Sequence, residues 1–162
     1  MFHLNGKRLS GLMVMVVGTI ASLVTPSTIG SNRIGDNGLV MAHQVEIAGD
    51  VGGTIHIEPN DTPRAGQEVL AWFALTKRGG QVIPLAHCDC SLAMYNHPYR
   101  EGNAAIATPS LRSISAEGYN GIPGADVVFP RPGTYELILT GEPRTPGAFS
   151  PFELTFSVTV AR

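Results

Sequence analysis

Between Ala86 and His97 the chain reads AHCDCSLAMYNH, which holds both of its cysteines and two of its five histidines. Cys88 and Cys90 stand one residue apart, with His87 before them and Met94 and His97 after. Two thiolates, an imidazole and a thioether are soft donors, the set that selects Cu(I) or, with more nitrogen, Zn(II). In an extended strand alternate side chains share a face, with i and i+2 about 6.6–6.8 Å apart. Cys88, Cys90, Leu92 and Met94 then share one face, and Asp89, Ser91, Ala93 and Tyr95 the other; Leu92 and Met94 make the cysteine face the apolar one. Four states of the pair are open. The cysteines can be small core residues, as free Cys often is. A disulfide suits an oxidising compartment, but it requires a kink, because the extended separation lies at the upper end of the range of about 4.4–6.8 Å for bridged Cα atoms. As a metal site, Cys88 and Cys90 supply the core ligands, and His87 completes it more readily than His97 or Met94, since Pro84 bends the strand start and frees His87 from alternation. A redox pair is the weakest reading, for want of a helix N-terminus to activate the thiolate.

The elements that must position these residues are strands. From His43 onward the apolar period is two rather than 3.6. Val45, Ile47, Ile55 and Ile57 are expected on one core-facing side of a hairpin, with Glu46, Thr54 and His56 on the other, exposed side. Residues 68–75 (EVLAWFAL) are apolar on both faces, as a central strand covered on both sides should be. Further strands are expected at QVIPL, at the cysteine segment, near SLRSIS, and in ADVVF, TYELILTG and PFELTFSVTV. In the last, Phe152, Leu154, Phe156, Val158 and Val160 alternate with polar residues. Trp72 and Tyr135 are assigned to the core, and Asn60-Asp61-Thr62, formally a glycosylation acceptor, to a turn. About seven strands between Gly/Pro turns, with no helix after residue 42, predict an all-β, immunoglobulin-like two-sheet antiparallel sandwich over residues 43–162.

Composition narrows the setting. The 162 residues include 19 Gly and 12 Pro, and only 15% are charged, which fits a turn-rich β domain. Lys7, Arg8, Arg33 and Asp36 account for the charges of residues 1–42, so the rest carries 8 basic (11 less 3) and 12 acidic (13 less 1) residues. A mildly acidic domain without a basic cluster offers nothing to nucleic acid or anionic membranes. Lys7 and Arg8 followed by LSGLMVMVVGTIASLV have the form of an export signal, too short an apolar run for a spanning helix. Residues 1–42 are therefore assigned to a signal peptide and processing segment. The domain is expected in the periplasm, a lumen or the extracellular space, and membrane-anchored if the signal stays attached. Cleavage after Ala42 would leave His43 as an N-terminal amine-plus-imidazole chelator of Cu(II).

The stretch HIEPNDTPRAGQEVLAWFALTKRGGQVI resembles the opening of YtkA-like and copper-resistance CopC-like domains, and FPRPGTYELILTG with the last strand resembles their closing half. AHQ at 42–44 is similar to the mature start of CopC-like proteins, where the N-terminal histidine ligates copper. The likeness spans roughly residues 43–160, with a longer lead into the Pro-Arg-Ala-Gly turn and AHCDCSLAM where the YtkA-like group carries a Met- and His-bearing strand. It implies an exported immunoglobulin-like sandwich that handles copper. The expected function is copper binding or carriage without catalysis, at Cys88, Cys90, His87, His97, Met94 and, separately, His43. The alternative is a metal-free module that docks on another exported or membrane protein.

Overall fold

The computed structural model describes residues 44–162, so the signal segment, its cleavage point and His43 lie outside the described residues. Eight strands follow in order: β1 Val45–Ala48, β2 Val51–Ile57, β3 Glu68–Lys77, β4 Cys88–Asn96, β5 Arg112–Ala116, β6 Tyr119–Val128, β7 Gly133–Pro143 and β8 Phe152–Val160. They pair antiparallel into a five-stranded sheet, β1-β2-β3-β6-β5, and a three-stranded sheet, β4-β7-β8. This is the two-sheet sandwich that the period-two pattern predicts. Among the described residues the only helical element is one 3₁₀ turn, Leu85–His87, and no helix is long and apolar enough to cross a membrane.

The two sheets meet through alternating side chains. Phe152, Leu154, Phe156, Val158 and Val160 of β8 are all buried, and the Phe156 ring lies 5.6 Å from that of Phe73 on β3. On β3 every residue from Ala71 to Leu75 is buried. Phe73 and Leu75 enter the main core, while Trp72 and Ala74 join Ile122 in a second cluster on the outer face, flanked by Leu70, Ile114 and Tyr119. The doubly apolar segment is therefore a central strand covered on both sides.

The hairpin register corrects one expectation. Val45 and Ile47 do not face the core with Ile55 and Ile57: they are 60% and 75% exposed. Only Gly49 and Asp50 form the turn, and Val45 pairs with Thr54 and Ile47 with Gly52, which puts them on the outer face. Both glycines of the GG pair thus lie inside β2. At Gly53 a Cβ would come within 2.5 Å of Leu154 Cδ1 and 3.1 Å of Leu75 Cδ2, so the absent side chain is what lets the sheets close.

Three further differences have local causes. His56 is not exposed; it is 9% accessible and stacked flat on Trp72, with centroids 4.0 Å apart and planes 5° off parallel. QVIPL forms only a bridge, Thr76 to Val82, before the 3₁₀ turn. Conversely β6 begins at Tyr119, six residues before ADVVF, through a Gly/Pro stretch that reads as a turn. Its β3 partners end at Gly124, so Pro123 sits in a segment paired only with β5, where proline is tolerated.

Asp50 fastens one end of the sandwich. Its Oδ1 accepts from the Ser150 backbone N–H at 2.9 Å, and its carbonyl accepts from Arg78 N–H at 2.8 Å. Backbone and hydroxyl donation from Ser150 hold its carboxyl below the ordinary 3.8. The folded state therefore binds this proton less readily than the unfolded chain, so the clip contributes above the unfolded pKa and is lost as pH falls through the lower folded value. Urea unfolding between about pH 5 and pH 2 should show Asp50→Asn with a shallower loss of stability in acid than the wild type; parallel curves would remove Asp50 from the acid response.

Candidate functional site

Pro84, in extended conformation, leads into the 3₁₀ turn, which His87 closes by donating its N–H to the Pro84 carbonyl at 2.9 Å. Arg144, just past β7, grips the same corner. Its backbone N–H donates to the His87 carbonyl and its Nε to the Cys88 carbonyl, each at 3.0 Å. His87 thus stands outside the β4 alternation, as the bend at Pro84 requires.

Cys88 and Cys90 are joined in a disulfide, and no free cysteine is present among the described residues. Their Cα atoms are 5.2 Å apart, closer than in an extended strand and inside the range for bridged cysteines. The pinch leaves the β7 pairing in register, Cys88 with Pro143 and Cys90 with Gly141. Gly141 makes the room: a Cβ there would lie 2.7 Å from Cys88 Sγ and 2.5 Å from Phe152 Cζ. The two cysteines have unequal surroundings. Cys88 is fully buried in the main core, whereas Cys90 is half-buried at its margin. Cys90 forms part of the wall of an open recess of about 420 Å³, with Ser91, Thr140, Pro151 and Phe152. Ser91 and Thr140 are hydrogen-bonded to each other at 2.8 Å, and two carboxylates stand at the rim, Glu142 and Asp89, the latter 3.8 Å from Arg144 Nη2.

A cross-link between residues two apart restrains the unfolded chain little. The loop-closure relation gives roughly 1.6 kcal/mol for a three-residue loop, against about 3 kcal/mol for one of fifteen. Stability alone is a weak reason for this bond.

The other candidate ligands are dispersed. His87 is exposed and lines a different, smaller recess of about 100 Å³ with Lys77, Gln81 and Phe149. Met94 is 1% exposed, its side chain within the main core. His97 lies just past the far end of β4, nine residues or about 30 Å along the strand from Cys88, and its Nδ1 is 2.6 Å from Glu136 Oε1. Among the described residues no three His, Cys, Asp or Glu side chains are grouped to hold a metal. Of the sequence candidates the fold brings Cys88 and Cys90 together, with His87 adjacent along the chain. Sequence reading missed Gly141, Arg144 and the recess, because all three depend on the β4–β7 pairing across some fifty residues.

Among solved structures, FetP from uropathogenic E. coli strain F11, recombinantly expressed in the E. coli periplasm, is similar with a TM-score of 0.51 and 14% identity; the match covers 74% of this chain and 94% of that one. A DUF4426 family protein from Pseudomonas aeruginosa gives a TM-score of 0.50 and 11% identity over 73% of this chain and 96% of the other. The likeness is one of fold. No protein-family model matches the chain, and no curated protein matches it.

Proposed function

We propose that the protein is an exported, non-catalytic β-sandwich that carries copper as Cu(I) on Cys88 and Cys90, with the disulfide as the closed form and the dithiol as the open one. The observation that carries this reading is the 5.2 Å Cα separation on one strand, which keeps both sulfurs within reach of a single ion after reduction. Two thiolates suit Cu(I), which accepts low coordination numbers and soft donors. The signal-like start and a fold neighbour that was expressed in a periplasm support export. His87 is the side chain best placed along the chain to add a nitrogen donor; Met94 and His97 would need β4 to rearrange. His43 remains a separate Cu(II) ligand if the chain is cut after Ala42.

Reduced protein titrated with Cu(I) against a competing chelator should bind one ion. The oxidised protein and the Cys88→Ala/Cys90→Ala double variant should bind none, and His87→Ala should bind more weakly. His56→Ala, altered on the outer face of the other sheet, should bind as the wild type does. Undiminished affinity in the double variant would overturn the assignment.

Val45 and Ile47 favour a second reading, a metal-free module docking on another exported protein, because they present apolar side chains on an exposed strand. An inert dithiol in the copper titration would leave that reading standing.

A further inference from the structure

We infer that the Cys88–Cys90 bond is a site of thiol–disulfide exchange at which an incoming low-molecular-mass thiol attacks Cys90, and Cys88 acts as the leaving and resolving sulfur. The inference concerns metal-free protein and does not depend on copper carriage.

Exchange requires a thiolate to approach one sulfur along the bond axis, so the accessible sulfur is the one attacked. The fold makes the two ends different. Cys88 is fully buried where Gly141 leaves space for its sulfur beside Phe152, which blocks approach to it. Cys90 is half-buried and borders the recess, whose 420 Å³ has room for a thiol as large as a tripeptide. The Ser91–Thr140 hydroxyl pair and the backbone of this sheet margin give such a ligand polar surfaces to bind, and Arg144, 3.8 Å from Asp89, offsets one of the two rim carboxylates.

The reaction balances without a further reagent. RS⁻ forms a bond to Cys90 Sγ as the Cys90–Cys88 bond breaks, and the electron pair leaves on Cys88 as a thiolate, which takes a proton from solvent. A second thiol then attacks the adduct, giving RSSR and the dithiol protein, so two thiols are oxidised as one disulfide is reduced. In competition, Cys88 attacks the adduct and restores the ring. Cys88 is held two residues from Cys90 and fixed at its carbonyl by Arg144, so this return should be fast and the adduct short-lived in the wild type.

The test uses reduced glutathione with metal-free protein in the presence of a chelator, quenched in acid and mapped by peptide mass spectrometry. Wild-type protein should be reduced, and any trapped adduct should sit on Cys90. With oxidised glutathione, the Cys88→Ser variant should accumulate the adduct on Cys90 at least tenfold faster than the Cys90→Ser variant does on Cys88, with circular dichroism confirming that both are folded. If either variant is misfolded, the position of the wild-type adduct decides. Adducts on Cys88, equal rates in two folded variants, or a wild-type bond that glutathione leaves intact would each overturn the inference. Copper titration reports on carriage separately: a dithiol that forms through Cys90 yet binds no Cu(I) would sink the copper reading and leave the exchange intact.

Discussion

Replacing Phe156 with alanine is expected to lower the unfolding free energy by about 3–5 kcal/mol, the range for truncating a buried aromatic. The residue is fully buried at the middle of β8, opposite Leu137 in the β7 register, and its ring meets Phe73 from the facing sheet. It therefore supports both layers, and the cavity left behind would open between them. The ring also reaches over Gly53, where an added Cβ would lie 3.4 Å from Phe156 Cζ. Chemical denaturation followed by circular dichroism measures the loss. A change within about 0.5 kcal/mol, the usual size for surface substitutions, would show that β8 does not form the seam between the sheets.

The second large effect is expected at Trp72. Its side chain is fully buried on the outer face of the five-stranded sheet, beneath His56 and beside Tyr119, with Nε1 donating to Glu58 Oε1 at 3.3 Å. Truncation to alanine should again cost about 3–5 kcal/mol. His56→Ala removes the ring stacked on Trp72, an aromatic pair worth about 0.5–1.5 kcal/mol beyond the area it buries, and should cost less than loss of the larger indole. Equal costs for the two substitutions would show that the indole adds nothing beyond the contacts it shares with His56. Neither should alter thiol chemistry at Cys90, which lies in the other sheet.

These two residues also separate what was legible in the sequence from what was not. The alternation of residues 152–160 and the unbroken apolar run of 69–75 state their burial directly, since strand period and face are local properties. The fate of Val45 and Ile47 is not local. It turns on whether two or more residues make the bend after Ala48, and one residue of slip exchanges the faces. Gly52 and Gly53 look like turn residues until Leu154 and Leu75 are seen to fill the space above Gly53. The early start of β6 is masked in the same way by Gly121, Pro123 and Gly124.

At the site, sequence supplied the cysteine pair, the bend at Pro84 and the alternatives, but not the choice among them. A strand drawn at full extension argues against bridging Cys88 to Cys90; a pinch of the Cα separation to 5.2 Å, with Gly141 opposite, permits it. The separation of His97 and Met94 from the sulfurs follows from the straight run of β4, with Met94 inside the core and His97 beyond the strand end. Donors close in sequence are spread out by an extended backbone that rises about 3.3 Å per residue.

Trp72 is the single tryptophan of the chain, and it reports from the outer face of one sheet while the disulfide lies in the other. The indole is shielded from water and stacked under an imidazole, so its fluorescence should be blue-shifted in the native protein and move to the red only when the outer cluster opens. Reduction of Cys88–Cys90 should leave the emission maximum in place. The chain thus carries its own optical gauge, one able to tell opening of the disulfide from loss of the fold in the same cuvette.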